Sequence, residues 1–181
     1  MKIALIGYRA TGKSTVGRIL ADRLKINFWD TDAMVEKDLA MPIKEIVALH
    51  GWDFFRAKEK DTIKFLTKKK ACVIATGGGV VLDRENVDLL KQTGVIIWLN
   101  APLQDIIERL KRDAQNAAAR PQFTSGNIVQ ETIDVMKQRI PLYENAADYT
   151  VDTLNKNPEQ VAEEIYQYLL KSKNLDKINK K

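Results

Sequence analysis

Residues 1–17 read MKIALIGYRATGKSTVG, and this stretch decides the fold. Residues 2–7, KIALIG, form a short apolar run that ends in glycine. That is the pattern of a buried strand entering a tight turn. Gly7-Tyr8-Arg9-Ala10-Thr11-Gly12-Lys13-Ser14 then matches G-x-x-x-x-G-K-[ST] in full. After Ser14, apolar residues fall at Val16, Ile19, Leu20 and Leu24, the stripe of an amphipathic helix. Strand, glycine loop and helix together make a phosphate-binding loop. Its glycines let backbone N–H groups turn inward onto phosphate oxygens, and the helix offers its positive N-terminus. Lys13 is placed to reach the β- and γ-phosphates, and the Ser14 hydroxyl to meet Mg²⁺.

Working outward, strand and helix patterns alternate. Buried strands are expected at 26–32 (INFWDTD), 71–79 (ACVIATGGG), 95–100 (VIIWLN) and 148–153 (DYTVDT). Helices are expected at 42–51, 53–69, 86–94, 102–113, 128–140 and 157–170. Pro42, Pro102 and Pro158 stand at helix starts, Gly51 and Gly94 at helix ends, and Asn157 as an N-cap. Such alternation predicts a parallel sheet with helices on both faces. Ligands of such sheets bind beyond the C-terminal strand ends. Gly7, Asp30–Asp32 and Gly77–Gly79 all stand there, so they are expected to meet at one rim. The segment 114–127, AQNAAARPQFTSGN, has no period and reads as a lid, with Arg120 as its cation.

Composition narrows the class. The 181 residues are 45% hydrophobic and 29% charged, as in a soluble domain with a core. No apolar run approaches the ~20 residues of a membrane span. The N-terminal run reads as a strand and not as a secretion signal, so a cytoplasmic location is the default expectation. The lone Cys72, inside an apolar run, reads as a small buried residue. The formal net charge is +5, but residues 171–181 carry five Lys and one Asp, so +4 of it lies in this basic tail. The tail reads as a solvated terminus, and no nucleic-acid partner is expected.

The acceptor side is legible in three places. Asp30 and Asp32 alternate at the end of the second strand, so both acids can face one site. A carboxylate there can accept a proton from an attacking hydroxyl or hold waters on a metal. Gly77-Gly78-Gly79 lets the backbone pass close to a ligand. Arg56 and Arg139 can fork onto a carboxylate or phosphate. His50 and the three tryptophans read as structural, with Trp52 standing just before the Arg56 helix. Asn155-Lys156-Asn157-Pro158 lacks the acid of a guanine-reading N-K-x-D, so ATP is the default nucleotide.

Together GYRATGKSTVG, DTD, FFRAKE, ATGGGVV, RPQF and RIPLYENAADYTVDT resemble the shikimate kinase family, in the family's order over about residues 3–170. The resemblance implies a three-layer α/β P-loop kinase fold with a five-stranded parallel sheet of order 2-3-1-4-5. It implies one kinase domain over 1–170, acceptor-binding helices over about 32–60, and a mobile lid over about 113–127. It implies transfer of the ATP γ-phosphoryl group to the 3-hydroxyl of shikimate, on the route to chorismate and the aromatic amino acids.

The resemblance also implies residue roles. Asp32 would hold the acceptor hydroxyls and take the proton. Asp30 would meet one Mg²⁺ through water, together with Ser14. Arg56 and Arg139 would clamp the carboxylate, and Gly78 and Gly79 would contact shikimate through the backbone. Lys13 and Arg120 would flank the transferring group. Gly7, Ala10, Thr11, Gly12, Lys13, Ser14, Thr15, Arg112, Arg120 and Pro158 form the nucleotide set. ATP and shikimate are the implied partners of a monomer with no membrane contact. Departures from the family are Ala10 where glycine is common, Gln122-Phe123 after the lid proline, and Asp113 at the adenine-stacking position, which leaves Arg112 as its substitute.

Three other readings stand beside this one. A small P-loop kinase for gluconate or a nucleoside monophosphate would need different cations around its acceptor. A nucleotide-binding regulator would not need Lys13, Ser14, Asp32 and Arg120 together. Nucleic-acid binding through the tail would depend steeply on salt.

Overall fold

The computed structural model describes residues 1–115 and 128–172. Five strands form one sheet: β1 (Lys2–Ile6), β2 (Asn27–Asp30), β3 (Cys72–Ala75), β4 (Gly94–Asn100) and β5 (Tyr149–Asp152). Their order is β2-β3-β1-β4-β5, and every neighbouring pair is parallel. This is the topology the family resemblance implied. Arg120, the bulk of the expected lid, and tail residues 173–181 lie outside the described residues.

Alternation along β1 explains why the strand is apolar from Ile3 to Ile6. Ile3 and Leu5 face one helix layer, α1 (Lys13–Leu24) and α7 (Pro158–Lys171), through Val16, Leu20, Val161, Ile165 and Leu169. Ala4 and Ile6 face the other layer: α3 (Ile43–Thr67), α4 (Arg84–Thr93) and α6 (Ile128–Ala146). There Ile63, Leu66, Leu90 and Tyr143 complete the core. Both faces of the strand are covered, so neither face tolerates polar residues. Cys72 is buried in this second layer.

Register aligns the strand ends. Leu5 and Asp30 both sit opposite Ala75, and Ile6 sits opposite Trp98. The loops after β1, β2 and β3 therefore leave the sheet at one rim.

Three elements differ from the sequence expectation. Asp32 is not on a strand, because β2 stops at Asp30 and α2 (Thr31–Leu39) begins at once. Asp30 is the cap, accepting from the Asp32 and Ala33 backbone N–H groups at 3.1 and 3.2 Å. The two acids thus converge by a strand-to-helix turn, not by strand alternation. Helix α6 runs through Pro141 to Ala146 instead of stopping near Ile140. A proline inside a helix costs about 3 kcal/mol. Burial of Tyr143 and Ala146 in the core offsets it. Finally, α3 joins the two expected helices, with a break at Gly51, whose φ of 82° favours glycine.

Among the described residues, no helix is long and apolar enough to cross a membrane.

Candidate active site

The phosphate loop leaves β1 and ends on α1. Lys13 is 8% exposed and folds back, its ammonium donating to the carbonyls of Gly7 at 2.9 Å and Tyr8 at 2.6 Å. Thr11 Oγ1 closes the loop by donating to the Tyr8 carbonyl at 2.8 Å. Gly12 caps α1 with φ of 90°, and Thr15 stands exposed in the first turn. Ala10 holds φ of 63°, a left-handed conformation that costs a residue bearing a Cβ about 1–2 kcal/mol. That is the physical sense of the family's glycine at this place.

Ser14 Oγ donates to Asp30 Oδ2 at 2.5 Å. A hydroxyl and a carboxylate thus meet at the mouth of the loop. Both are hard oxygen donors, of the kind Mg²⁺ takes.

Across the rim lies a cleft of about 430 Å³, counting its open mouth. Tyr8, Arg9, Asp32, Trp52, Phe55, Arg56, Gly77–Gly79 and Arg139 line it, with Ile43. Four separate elements therefore deliver the predicted acceptor residues Asp32, Arg56, Gly78, Gly79 and Arg139 to one place. A wider groove lies at Trp29, Lys37, Lys58, Asp61 and Phe65. None of its lining residues belongs to the phosphate loop or the triple glycine, so size does not identify the site.

The triple glycine is dictated by crowding. A Cβ on Gly77 would collide with Glu59 Oε1 and lie 2.7 Å from Asp32 Oδ1. A Cβ on Gly79 would fall on the Arg56 guanidinium. The turn is pinned on both sides: the Gly77 N–H donates to Thr31 Oγ1 at 2.9 Å. The Gly78 carbonyl accepts from Arg139 Nη1 at 3.1 Å and from the Tyr143 hydroxyl at 2.5 Å. Burial holds the Tyr143 phenol protonated, far above its ordinary range. Tyr143→Phe keeps the ring and removes that donor. It is expected to lower stability by about 1–2 kcal/mol in urea melts and to raise the acceptor KM a few-fold. Unchanged values for both would reduce Tyr143 to a space-filler.

Arg56 is set by its own helix. Its Nη1 donates to Glu59 Oε2 at 2.7 Å, one turn on, and its guanidinium lies 5.3 Å from the Trp52 ring and 5.2 Å from Phe55. Glu59 is 1% exposed. Burial raises its carboxyl above the ordinary value, the Arg56 charge opposes this, and nearby Asp32 adds to it. A carboxyl with a raised native pKa binds its proton more readily folded than unfolded. Its contribution to stability is full below the unfolded value of 4.5 and is lost as pH rises through the native value. Glu59→Gln is expected to remove that slope. Thermal melts of parent and variant from pH 4 to 8 check it, and parallel curves would contradict it.

Two nucleotide-side residues fall differently. Pro158 opens α7 behind the N-cap Asn157, as the sequence implied, and Asn157 forms a full capping box with Gln160. Arg112, expected on the nucleotide side, stands on α5 (Leu103–Gln115). Its side chain is 74% exposed and 4.0 Å from Glu108. Arg109, one turn earlier, donates to the Ala10 carbonyl at 3.1 Å.

Sequence reading missed Arg9, Glu59, Glu131 and Tyr143. Charged side chains are surface residues by default. Only the Arg56–Glu59 spacing of three on a helix signalled a pair in advance.

Comparison with known proteins agrees with this geometry. A family model described as shikimate kinase matches residues 9–170. A shikimate kinase from Syntrophus aciditrophicus is 40% identical over 171 residues, covering 90% of this chain and 88% of that protein. One from Nitratidesulfovibrio vulgaris is 44% identical over 150 residues, covering 83% and 85%. The solved structure of shikimate kinase from Acinetobacter baumannii in complex with shikimate superimposes with a TM-score of 0.88. It is 35% identical and covers 95% of this chain and 94% of that one.

Proposed function

The chain belongs to the shikimate kinase family, and from that premise we propose how its residues move the ATP γ-phosphoryl group to the 3-hydroxyl of shikimate. The activity is that of an ATP-dependent kinase acting on shikimate. The carrying observation is the joint presence of Asp32, Arg56 and Arg139 in a small cleft beside the phosphate loop.

The loop N–H groups and Lys13 hold the β- and γ-phosphates, Lys13 exchanging its two backbone carbonyl contacts for phosphate oxygens. Arg56 and Arg139 pair with the shikimate carboxylate, and the Gly78–Gly79 backbone packs on the ring. This fixes the 3-hydroxyl between Asp32 and the γ-phosphorus. The hydroxyl oxygen then bonds to phosphorus as the bond to the β,γ-bridging oxygen breaks. The electron pair leaves with ADP, and Asp32 takes the hydroxyl proton. Phosphoryl transfer asks for positioning and charge neutralisation more than covalent help.

Ser14 and Asp30 suit one Mg²⁺, Asp30 through water. When bound, the ion would neutralise charge on the β- and γ-phosphates. Arg120 is the proposed lid cation, Thr11, Gly12 and Thr15 flank the phosphates, and Pro158 lies on the adenine side. A monomer with ATP and shikimate as its partners is part of this proposal.

ADP release from Mg-ATP, measured with shikimate, gluconate and nucleoside monophosphates in parallel, tests the reading. ADP release that depends on shikimate alone is the expected result. Equal release with gluconate, or none with any acceptor, would overturn the acceptor assignment.

A further inference from the structure

A buried ion pair sits where phosphate loop and acceptor cleft join. Arg9 Nη2 donates to Glu131 Oε1 at 2.7 Å, across 122 positions of sequence. Their side chains are 10% and 1% exposed. Arg9 belongs to the loop and lines the cleft with Asp32, Arg56 and Arg139. Its backbone N lies 3.4 Å from the place of a Cβ on Gly78, so loop and glycine turn are in contact there. Glu131 stands in the first turn of α6. A buried ion pair is weak grounds for stability, since desolvation offsets much of its attraction. Its location suggests a role in the charge of the cleft.

We propose that Glu131 neutralises Arg9 and thereby keeps the cleft from holding the phosphorylated product too tightly. The proposal rests on the shikimate kinase reading. Before transfer the acceptor carries one carboxylate, which Arg56 and Arg139 suffice to meet. After transfer the product also carries a phosphate ester of nearly two negative charges, on the side of the cleft facing the phosphate loop. Arg9 is the cleft cation contributed by that loop. Fully available, it would attract the product's new phosphate far more than the substrate's hydroxyl. Paired with Glu131, it presents little net charge, and the product leaves. Product release limits turnover in many kinases and related enzymes, so such a pair tunes kcat without touching the reacting atoms. Glu131 is thus a positioning and charge-setting residue, not a catalytic one.

Glu131→Gln removes the charge and keeps the shape. With shikimate 3-phosphate as the probe, its inhibition constant is expected to fall about tenfold, equivalent to roughly 1.4 kcal/mol, and kcat to fall with it. The shikimate KM should stay within about twofold. Adding Arg9→Met to Glu131→Gln should abolish the tightening. Should Glu131→Gln not fold, Arg9→Gln serves instead. It removes the loop's cleft cation while keeping the Glu131 charge, and should weaken product inhibition about tenfold. An unchanged product constant, or product and substrate constants moving by the same factor, would overturn the proposal. The parent enzyme separates the two readings. If it shows no shikimate-dependent ADP release, the functional reading has failed. If it turns over and the variants leave product inhibition unmoved, only the charge-balance inference has failed.

Discussion

Asp32→Asn is expected to lower kcat about a thousandfold while ATP affinity stays within about twofold. Asp32 is 5% exposed and lines the acceptor cleft, whereas the phosphates are held by the loop and Lys13. The amide keeps the size and one acceptor oxygen, so shikimate still docks. It loses the basicity that takes the 3-hydroxyl proton. Turnover under saturating ATP and shikimate, with nucleotide binding by calorimetry, separates the two effects. Near-normal kcat would remove Asp32 from proton transfer. A collapse of ATP binding would mean that its turn supports the loop, through Asp30 and Ser14, and not the acceptor.

Arg139→Ala is expected to raise the shikimate KM about a hundredfold, with a much smaller change in the ATP KM. Arg139 is 6% exposed and donates to the Gly78 carbonyl. Its loss removes one arm of the carboxylate clamp and loosens the glycine turn that forms the cleft wall. Arg56→Ala should act in the same direction but less strongly. The Arg56 side chain is 23% exposed and its charge is already shared with Glu59. Initial rates over a grid of both substrates decide the matter. Equal effects on shikimate and ATP constants would point to general loosening of the fold, and an unchanged shikimate KM would sink the clamp.

The two predictions draw on different parts of what the sequence could reveal. Local chemistry was legible: the loop at 7–14, Asn157-Pro158 at a helix start, Gly51 at a break, and continuous apolar strands for a doubly covered sheet. The phosphate loop, Asp30–Asp32 and Gly77–Gly79 were legible because they follow strand ends, and parallel register brings those ends together, whereas Arg56 and Arg139 stand inside helices and were marked by the family resemblance. Competition between local rules and packing was not. The turn at Asp30–Asp32 could be read as strand alternation or as a helix cap, and the backbone N–H groups of Asp32 and Ala33 decide for the cap. Pro141 reads as a stop, yet Tyr143 and Ala146 gain more from the core than the proline loses. Buried charge was the least legible. Arg9 and Glu131 are unremarkable surface residues in a one-dimensional reading, and their pairing depends on how α6 docks beside the phosphate loop.

The most direct test is phosphorus NMR with proton coupling on the reaction product from Mg-ATP and shikimate. One new phosphate ester coupled to the proton at carbon 3, formed one for one with ADP, is the predicted result. ADP accompanied only by inorganic phosphate, or an ester on another hydroxyl, would contradict the placement of the 3-hydroxyl between Asp32 and the phosphate loop.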